Sequence, residues 1–143
     1  MLHTKMNSLL ANLVVEYHKL QNFHWFVKGS DFFTAHAKLE EFYDGINEAI
    51  DEVAEKLLMA GGKPLANLKE FLEVSTIKEA CDSYRSSAEV FTSVLSDFEL
   101  LKKECEEVKE LADEEKVYFI SAYMDELIDN FAKTIWMIKQ RQM

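Results

Sequence analysis

His36-Ala37-Lys38-Leu39-Glu40-Glu41-Phe42-Tyr43-Asp44-Gly45-Ile46-Asn47-Glu48-Ala49-Ile50-Asp51-Glu52-Val53-Ala54-Glu55 is the stretch on which the fold turns. Leu39, Phe42, Ile46, Ile50 and Val53, continued by Leu57, recur at three- and four-residue spacing, which predicts one long amphipathic helix. Ser30 and Asp31 are ready N-caps, and Gly61, Gly62 and Pro64 end the pattern. At about 100° per residue from His36, Glu40 falls at about 40°, Asp51 at about 60° and Glu55 at about 100°. The apolar stripe centres at about 280° by the same count. Imidazole and carboxylate groups therefore share a face that turns from the chain's own core.

Outward from this helix the chain reads the same way. Leu9, Leu10, Leu13, Val14, Tyr17 and Leu20 predict a first helix, capped at Thr4 or Ser8 and ended by Gly29. Leu65 to Leu72 suits a short helix. Thr76 and Glu79 make a capping box for a third long helix reaching about Val108. Asp113, Glu114 and Glu115 suit the positive N-terminus of a last helix running nearly to Met143. Only 4 Gly and 1 Pro occur in 143 residues, too little punctuation for a β-sandwich or an alternating α/β fold. Four long helices must hide their apolar stripes against one another, so the expected fold is an all-α four-helix bundle in one domain, 1–143. The long connection that holds the short helix can cross the bundle from end to end. That favours ferritin-like topology over simple up-and-down.

Sixteen basic and 26 acidic residues give a formal net charge of −10, so phosphate backbones are repelled and metal cations attracted. The longest apolar run, Val117 to Met124 with Ser121 allowed, is far below the ~20 residues that span a bilayer. Asn12 and Glu16 interrupt the N-terminal apolar run, so no signal peptide is expected. Cys81 and Cys105 make neither a disulfide framework nor a metal-ligand spacing. A reduced, cytoplasmic protein with no membrane partner is the expectation.

The usual di-iron bundle carries Glu-x-x-His on two helices. Here Val15, Gln21 and Phe33 stand three residues before His18, His24 and His36, which argues against such a site within one chain. His36 and Asp51 are fifteen steps apart, about 22 Å along the axis, too far for one metal. Two copies of the helix packed antiparallel about a two-fold near Gly45 and Ile46 remove that distance. His36 and Glu40 of one copy then lie beside Asp51 and Glu55 of the other, giving two equivalent sites about 20 Å apart. His24 joins them from the end of the first helix. Two imidazoles with two or three carboxylates suit Fe(II), with Zn(II) a strong competitor. A solvated acidic face is the plain alternative reading of each residue taken alone.

The residues also resemble a known family. His24-Trp25 with Lys28-Gly29, Phe32-Phe33-x-x-His36, Asp51-x-x-Ala54-Glu55, Gly61-x-x-Pro64 and Lys133-x-x-Trp136-Met137 closely resemble the Dps mini-ferritins, DNA-binding proteins from starved cells. The resemblance implies a hollow homo-dodecamer built from two-fold dimers. Its two-iron ferroxidase centres would take His24 and His36 from one subunit and Asp51 and Glu55 from its neighbour, with Glu40 where relatives often have Asp. It implies oxidation of Fe(II), preferably by hydrogen peroxide, and storage of ferric mineral, with protection from oxidative damage. Trp25 would pack on the site and donate an electron, or serve only as a buried aromatic. Glu41, Glu48 and Glu52 form an acidic strip beside the ligand face, suited to nucleating mineral or simply solvated. Relatives with a lysine-rich N-terminal arm bind DNA; this chain opens Met1-Leu2-His3-Thr4-Lys5, and no direct DNA binding is expected. Acids that relatives place in three-fold pores give way here to Val117, Tyr118, Phe119 and Ile120. The alternatives are a non-enzymatic nucleoid or shell protein with a structural metal site, and a zinc-buffering protein.

Overall fold

The computed structural model describes residues 1–143. In chain order it contains α1 (Leu2–Phe26), the two-residue strand β1 (Val27–Lys28), α2 (Phe32–Met59), α3 (Leu68–Val74), β2 (Arg85–Ser86), α4 (Ser87–Glu114) and α5 (Tyr118–Arg141). The protein is all-α, about 78% helical, with a ferritin-like fold. α1 and α2 form one antiparallel hairpin, and α4 and α5 form the other. Residues 60–84 cross from one end of the bundle to the other, and β1 then pairs with β2 in parallel, Val27 opposite Arg85. Leu9, Leu13 and Leu20 of α1, Leu39 and Val53 of α2, Val94 and Leu101 of α4, and Met124 and Phe131 of α5 share one continuous core.

The crossover is tied to α1 by three asparagines. Asn7 donates to the Lys63 carbonyl at 3.0 Å and accepts from the Leu65 amide at 2.9 Å. Asn12 Oδ1 accepts from the Thr76 and Ile77 amides at 2.7 and 3.1 Å and from Ser75 Oγ at 2.7 Å, while its Nδ2 donates to Glu104 Oε1 at 2.8 Å. Asn22 Nδ2 donates to the Ala80 carbonyl at 3.3 Å. A segment without regular structure must find partners for its amides, and α1 supplies them at three successive levels.

These bonds explain why the third long helix starts later than expected. Asn12 captures the amides of Thr76 and Ile77, so the Thr76–Glu79 box opens no helix. The same motif recurs ten residues on, where Ser86 Oγ accepts from the Glu89 amide at 3.2 Å and α4 begins. α4 then runs through Asp113 and Glu114, which close it instead of opening α5. Lys109 draws Asp113 to 3.7 Å, Ser121 Oγ donates to Asp113 Oδ1 at 2.5 Å, and Lys116 makes the turn with φ of 59°. α1 starts at Leu2 with neither Thr4 nor Ser8 as cap; Ser8 Oγ donates instead to Glu104 Oε2 at 2.8 Å. The short helix lies three residues later than expected at its start, because Asn67 accepts from the Glu70 amide and sets the N-cap. Asp31 is the N-cap of α2 but makes no side-chain cap bond.

Its carboxylate is drawn elsewhere. Ser87 Oγ donates to Asp31 Oδ2 at 2.6 Å, and Arg141 Nη2 reaches Asp31 at 3.3 Å and Ser87 Oγ at 2.5 Å. The end of α5, the start of α4 and the start of α2 meet at this point. The Ser87 hydroxyl, with help from Arg141, holds the Asp31 carboxyl below the usual carboxylate range. This stabilisation is present at neutral pH and lost as acid protonates Asp31.

Replacing Asn12 by alanine leaves the Thr76 amide and a Glu104 oxygen without a partner, while the Ile77 amide keeps Ser75 Oγ at 3.1 Å. Each unsatisfied buried group costs about 1–3 kcal/mol, so Asn12→Ala is expected to lower unfolding free energy by about 2–4 kcal/mol in urea titrations, against about 1 kcal/mol for Asn7→Ala at the exposed end.

Candidate metal centre

α1 ends and α2 begins within a short turn, which brings His24 and His36 face to face. His24 Nδ1 donates to the His36 carbonyl at 2.6 Å, and His36 Nδ1 donates to the His24 carbonyl at 2.7 Å. The rings stack with centroids 3.6 Å apart and planes 12° from parallel. A carbonyl oxygen only accepts, so each Nδ1 carries the proton and each Nε2 keeps a free lone pair. This is the tautomer that a metal requires of a histidine whose other nitrogen is anchored.

Aromatic side chains hold the pair in place. Phe32 stacks on His36 at 4.8 Å, Tyr43 meets His24 edge-on at 5.4 Å, and Tyr17 meets Tyr43 edge-on at 5.7 Å. His24 is 5% exposed and His36 half-buried. His36 therefore does not turn fully outward as the helical wheel placed it: the His24 carbonyl and Phe32 draw it to the edge of the core. These roles of Tyr17 and Tyr43 are absent from the sequence reading, although their spacing carries a signal. Each lies seven residues from its histidine, two turns away on the same helix face.

Glu40 Oε1 lies 3.7 Å from His24 Nε2, on the open side of the stacked rings. Asp51 and Glu55 are exposed farther along α2, and Asp51 borders a groove between α2 and α5 with Glu48, Glu52, Tyr123 and Glu126. One chain thus brings His24, His36 and Glu40 together and leaves Asp51 and Glu55 apart. No three histidine, cysteine or carboxylate side chains close on a metal position within the chain. The donor types fit iron: two imidazoles with outward Nε2 atoms and one exposed carboxylate, with two more carboxylates on the same helix.

Ile46 is buried in the chain's own core, in keeping with its place on the apolar stripe of α2. Gly45 is exposed, and a Cβ there would touch nothing within 4 Å. Trp25 is 60% exposed and lines a groove with Phe71, Leu68 and Leu72 instead of covering the two histidines of its own chain. In the acidic strip, Glu41 pairs with Lys38 at 2.6 Å and Glu52 with Lys56 at 2.5 Å; Glu48 makes no ion pair. Lys56 also stands 4.5 Å over the Tyr123 ring. No helix is long and apolar enough to cross a membrane.

Comparison with known proteins agrees with this architecture. The ferritin-like domain family matches residues 4–141. The chain is 40% identical over 134 residues to a DNA protection during starvation protein of Brevibacillus brevis, covering 94% of this chain and 89% of that one. Among solved structures, a Dps protein from Bacillus brevis superposes with a TM-score of 0.95 at 38% identity, covering 99% of this chain and 95% of that one. A Dps protein from Vibrio cholerae, described as a member of a broad superfamily of ferritin-like diiron-carboxylate proteins, gives 0.95 at 32% identity, over 99% and 89% of the two chains. With its single crossover, its paired histidines at the α1–α2 turn and these likenesses over nearly its whole length, the chain belongs to the ferritin-like family, among the Dps proteins.

Proposed function

We propose that the protein is a ferroxidase and iron store. Residues 1–143 act as one ferritin-like unit that oxidises Fe(II), preferably with hydrogen peroxide, at sites shared between two copies of the chain. His24, His36 and Glu40 come from one copy, and Asp51 and Glu55 from the other. The observation that carries this reading is the reciprocal bonding of His24 and His36, which turns both Nε2 atoms toward Glu40's side but leaves Asp51 and Glu55 of the same helix out of reach. Antiparallel pairing of α2 across Gly45, which presents no side chain, supplies the missing groups. Exposed Leu58, Met59, Leu68 and Leu72 give that pairing apolar surface to bury. Family membership supports iron storage and protection in the broad sense.

Iron is the substrate here. Two Fe(II) ions each give one electron to hydrogen peroxide; the O–O bond breaks, and with two protons the products are two Fe(III) and two waters. Supplying both electrons at one site avoids releasing hydroxyl radical. His24 and His36 bind through Nε2 while each Nδ1–H stays hydrogen-bonded to a backbone carbonyl, which fixes the ring's orientation. The carboxylates favour the ferric product. Trp25 would lie under the second copy, beside the shared site, as a packing aromatic or an electron donor. Ferric product then accumulates in the cavity of a twelve-subunit shell, where unpaired Glu48 is the best nucleating member of the acidic strip. A shell of twelve chains at −10 carries about −120, so DNA is protected without being bound. Zinc competes for the same ligands.

Shared sites have a distinctive signature. Near-ultraviolet absorbance after anaerobic Fe(II) and then peroxide should grow at least about tenfold more slowly in His24→Ala and in Asp51→Ala. When the two variants are unfolded and refolded together, random pairing puts intact halves opposite each other in half of the dimers, and about a quarter of the wild-type rate should return. Mixtures that stay inactive overturn the shared site. Zinc binding at unchanged stoichiometry with no peroxide-dependent absorbance in the wild type would identify the zinc-buffering alternative.

Light scattering should give a particle of about 200 kDa, twelve times 16.6 kDa. In a gel shift at low ionic strength and neutral pH, the purified protein should leave plasmid mobility unchanged; retardation overturns the expectation of no direct contact.

A further inference from the structure

The seam between α1 and α4 holds two more carboxyl groups than ammonium groups. Along it run Lys5 with Glu104 and Glu107, Ser8 and Asn12 with Glu104, and then Glu16 and Lys19 with Asp97. Glu104 is fully served, by two hydrogen bonds and an ammonium. Glu16 is not. It is 0% exposed, and neither of its oxygens accepts a hydrogen bond. Lys19, its one cationic neighbour, has its Nζ 2.8 Å from Asp97 Oδ2, an oxygen that is itself buried and receives no aligned hydrogen bond. Two carboxyl groups, one of them fully buried, thus share one ammonium.

A buried carboxylate with no donor costs more than almost any other arrangement, and the smallest group that removes the charge is a proton. The proton also repairs the geometry, because a protonated carboxyl becomes a donor and Asp97 is the acceptor at hand. We propose that Glu16 is a neutral carboxylic acid that donates a hydrogen bond to Asp97, forming a proton-held latch between α1 and α4 that slackens in alkaline solution.

The surroundings agree. The groups acting on Glu16 are burial first, then Asp97 from α4, both pushing its carboxyl up, with Lys19 of α1 opposing them; no ionisable group of α2 or α3, the other elements packed on α1, acts on it. Above the ordinary glutamate range the unfolded chain gives its Glu16 proton to water while the folded chain keeps it. Folding therefore weakens with rising pH, and the loss ends once the folded carboxyl also ionises. At that point a second negative charge sits beside Asp97 with Lys19 alone to answer both.

Glu16→Gln keeps the shape and the donor and removes the titration. Unfolding of the intact assembly in urea, followed by circular dichroism between about pH 5 and 9, should show the wild-type folding constant falling relative to Glu16→Gln by up to about tenfold per pH unit. Parallel pH profiles for the two proteins overturn the latch. Infrared spectra of the folded proteins in heavy water at neutral pH supply a readout independent of stability. The carbonyl band of a protonated carboxylic acid should be present in the wild type, absent in Glu16→Gln, and lost from the wild type in alkali. A wild-type spectrum without that band at neutral pH also overturns the proposal.

Discussion

Two imidazoles, each donating an Nδ1–H hydrogen bond to the other's backbone carbonyl, hold the turn between α1 and α2. The bond pair is reciprocal, so neither ring can rotate without breaking its bond to the other's backbone. Ring stacking at 3.6 Å and the edges of Tyr43 and Phe32 leave each histidine one orientation. The hairpin geometry and the direction of both Nε2 lone pairs thus follow from one clasp. Any metal chemistry at this place is pre-organised by backbone contacts and not by the metal itself.

α1 has a second task, which explains its unusual burial of polar groups. Most bundle helices bury an apolar stripe and expose the rest. α1 also buries Asn12 and Glu16, because the crossover lies along one of its faces and α4 along another. Asn12 serves both neighbours at once, accepting from the crossover and donating to Glu104. Such a network is stable only while every member is satisfied. Asn12 and Glu104 meet that condition through hydrogen bonds, whereas Glu16 meets it in the proposed arrangement through a proton.

Acidic excess is distributed rather than concentrated. Lysines answer many of the carboxylates pairwise, as Lys38 answers Glu41 and Lys56 answers Glu52. Exposed pairs of this kind add little stability. Their consequence is to single out the carboxylates that remain unpaired, and Asp51, Glu55 and Glu48 are among them. In the proposed assembly these are the groups that meet a partner's histidines or the interior cavity.

Helical character, the bundle and the crossover were readable from residue spacing, since a repeat of three and four residues and a scarcity of Gly and Pro leave little else for a chain to do. Spacing also showed that His36 and Asp51 cannot meet in one chain. What spacing could not show was which of two similar Ser/Thr-x-x-Glu boxes opens α4, because the choice depends on Asn12, some 64 residues away, taking the amides of Thr76 and Ile77. Nor could it show that Asp113 and Glu114 close a helix, which depends on Lys109 and Ser121 across a turn. The outward reading of His36 failed for the same reason: its direction is set by a carbonyl on another helix. Periodicity along one helix determined which residues are buried; partners brought close only by folding decided where helices end, which way each imidazole points, and that Glu16 lies in a seam with too few cations.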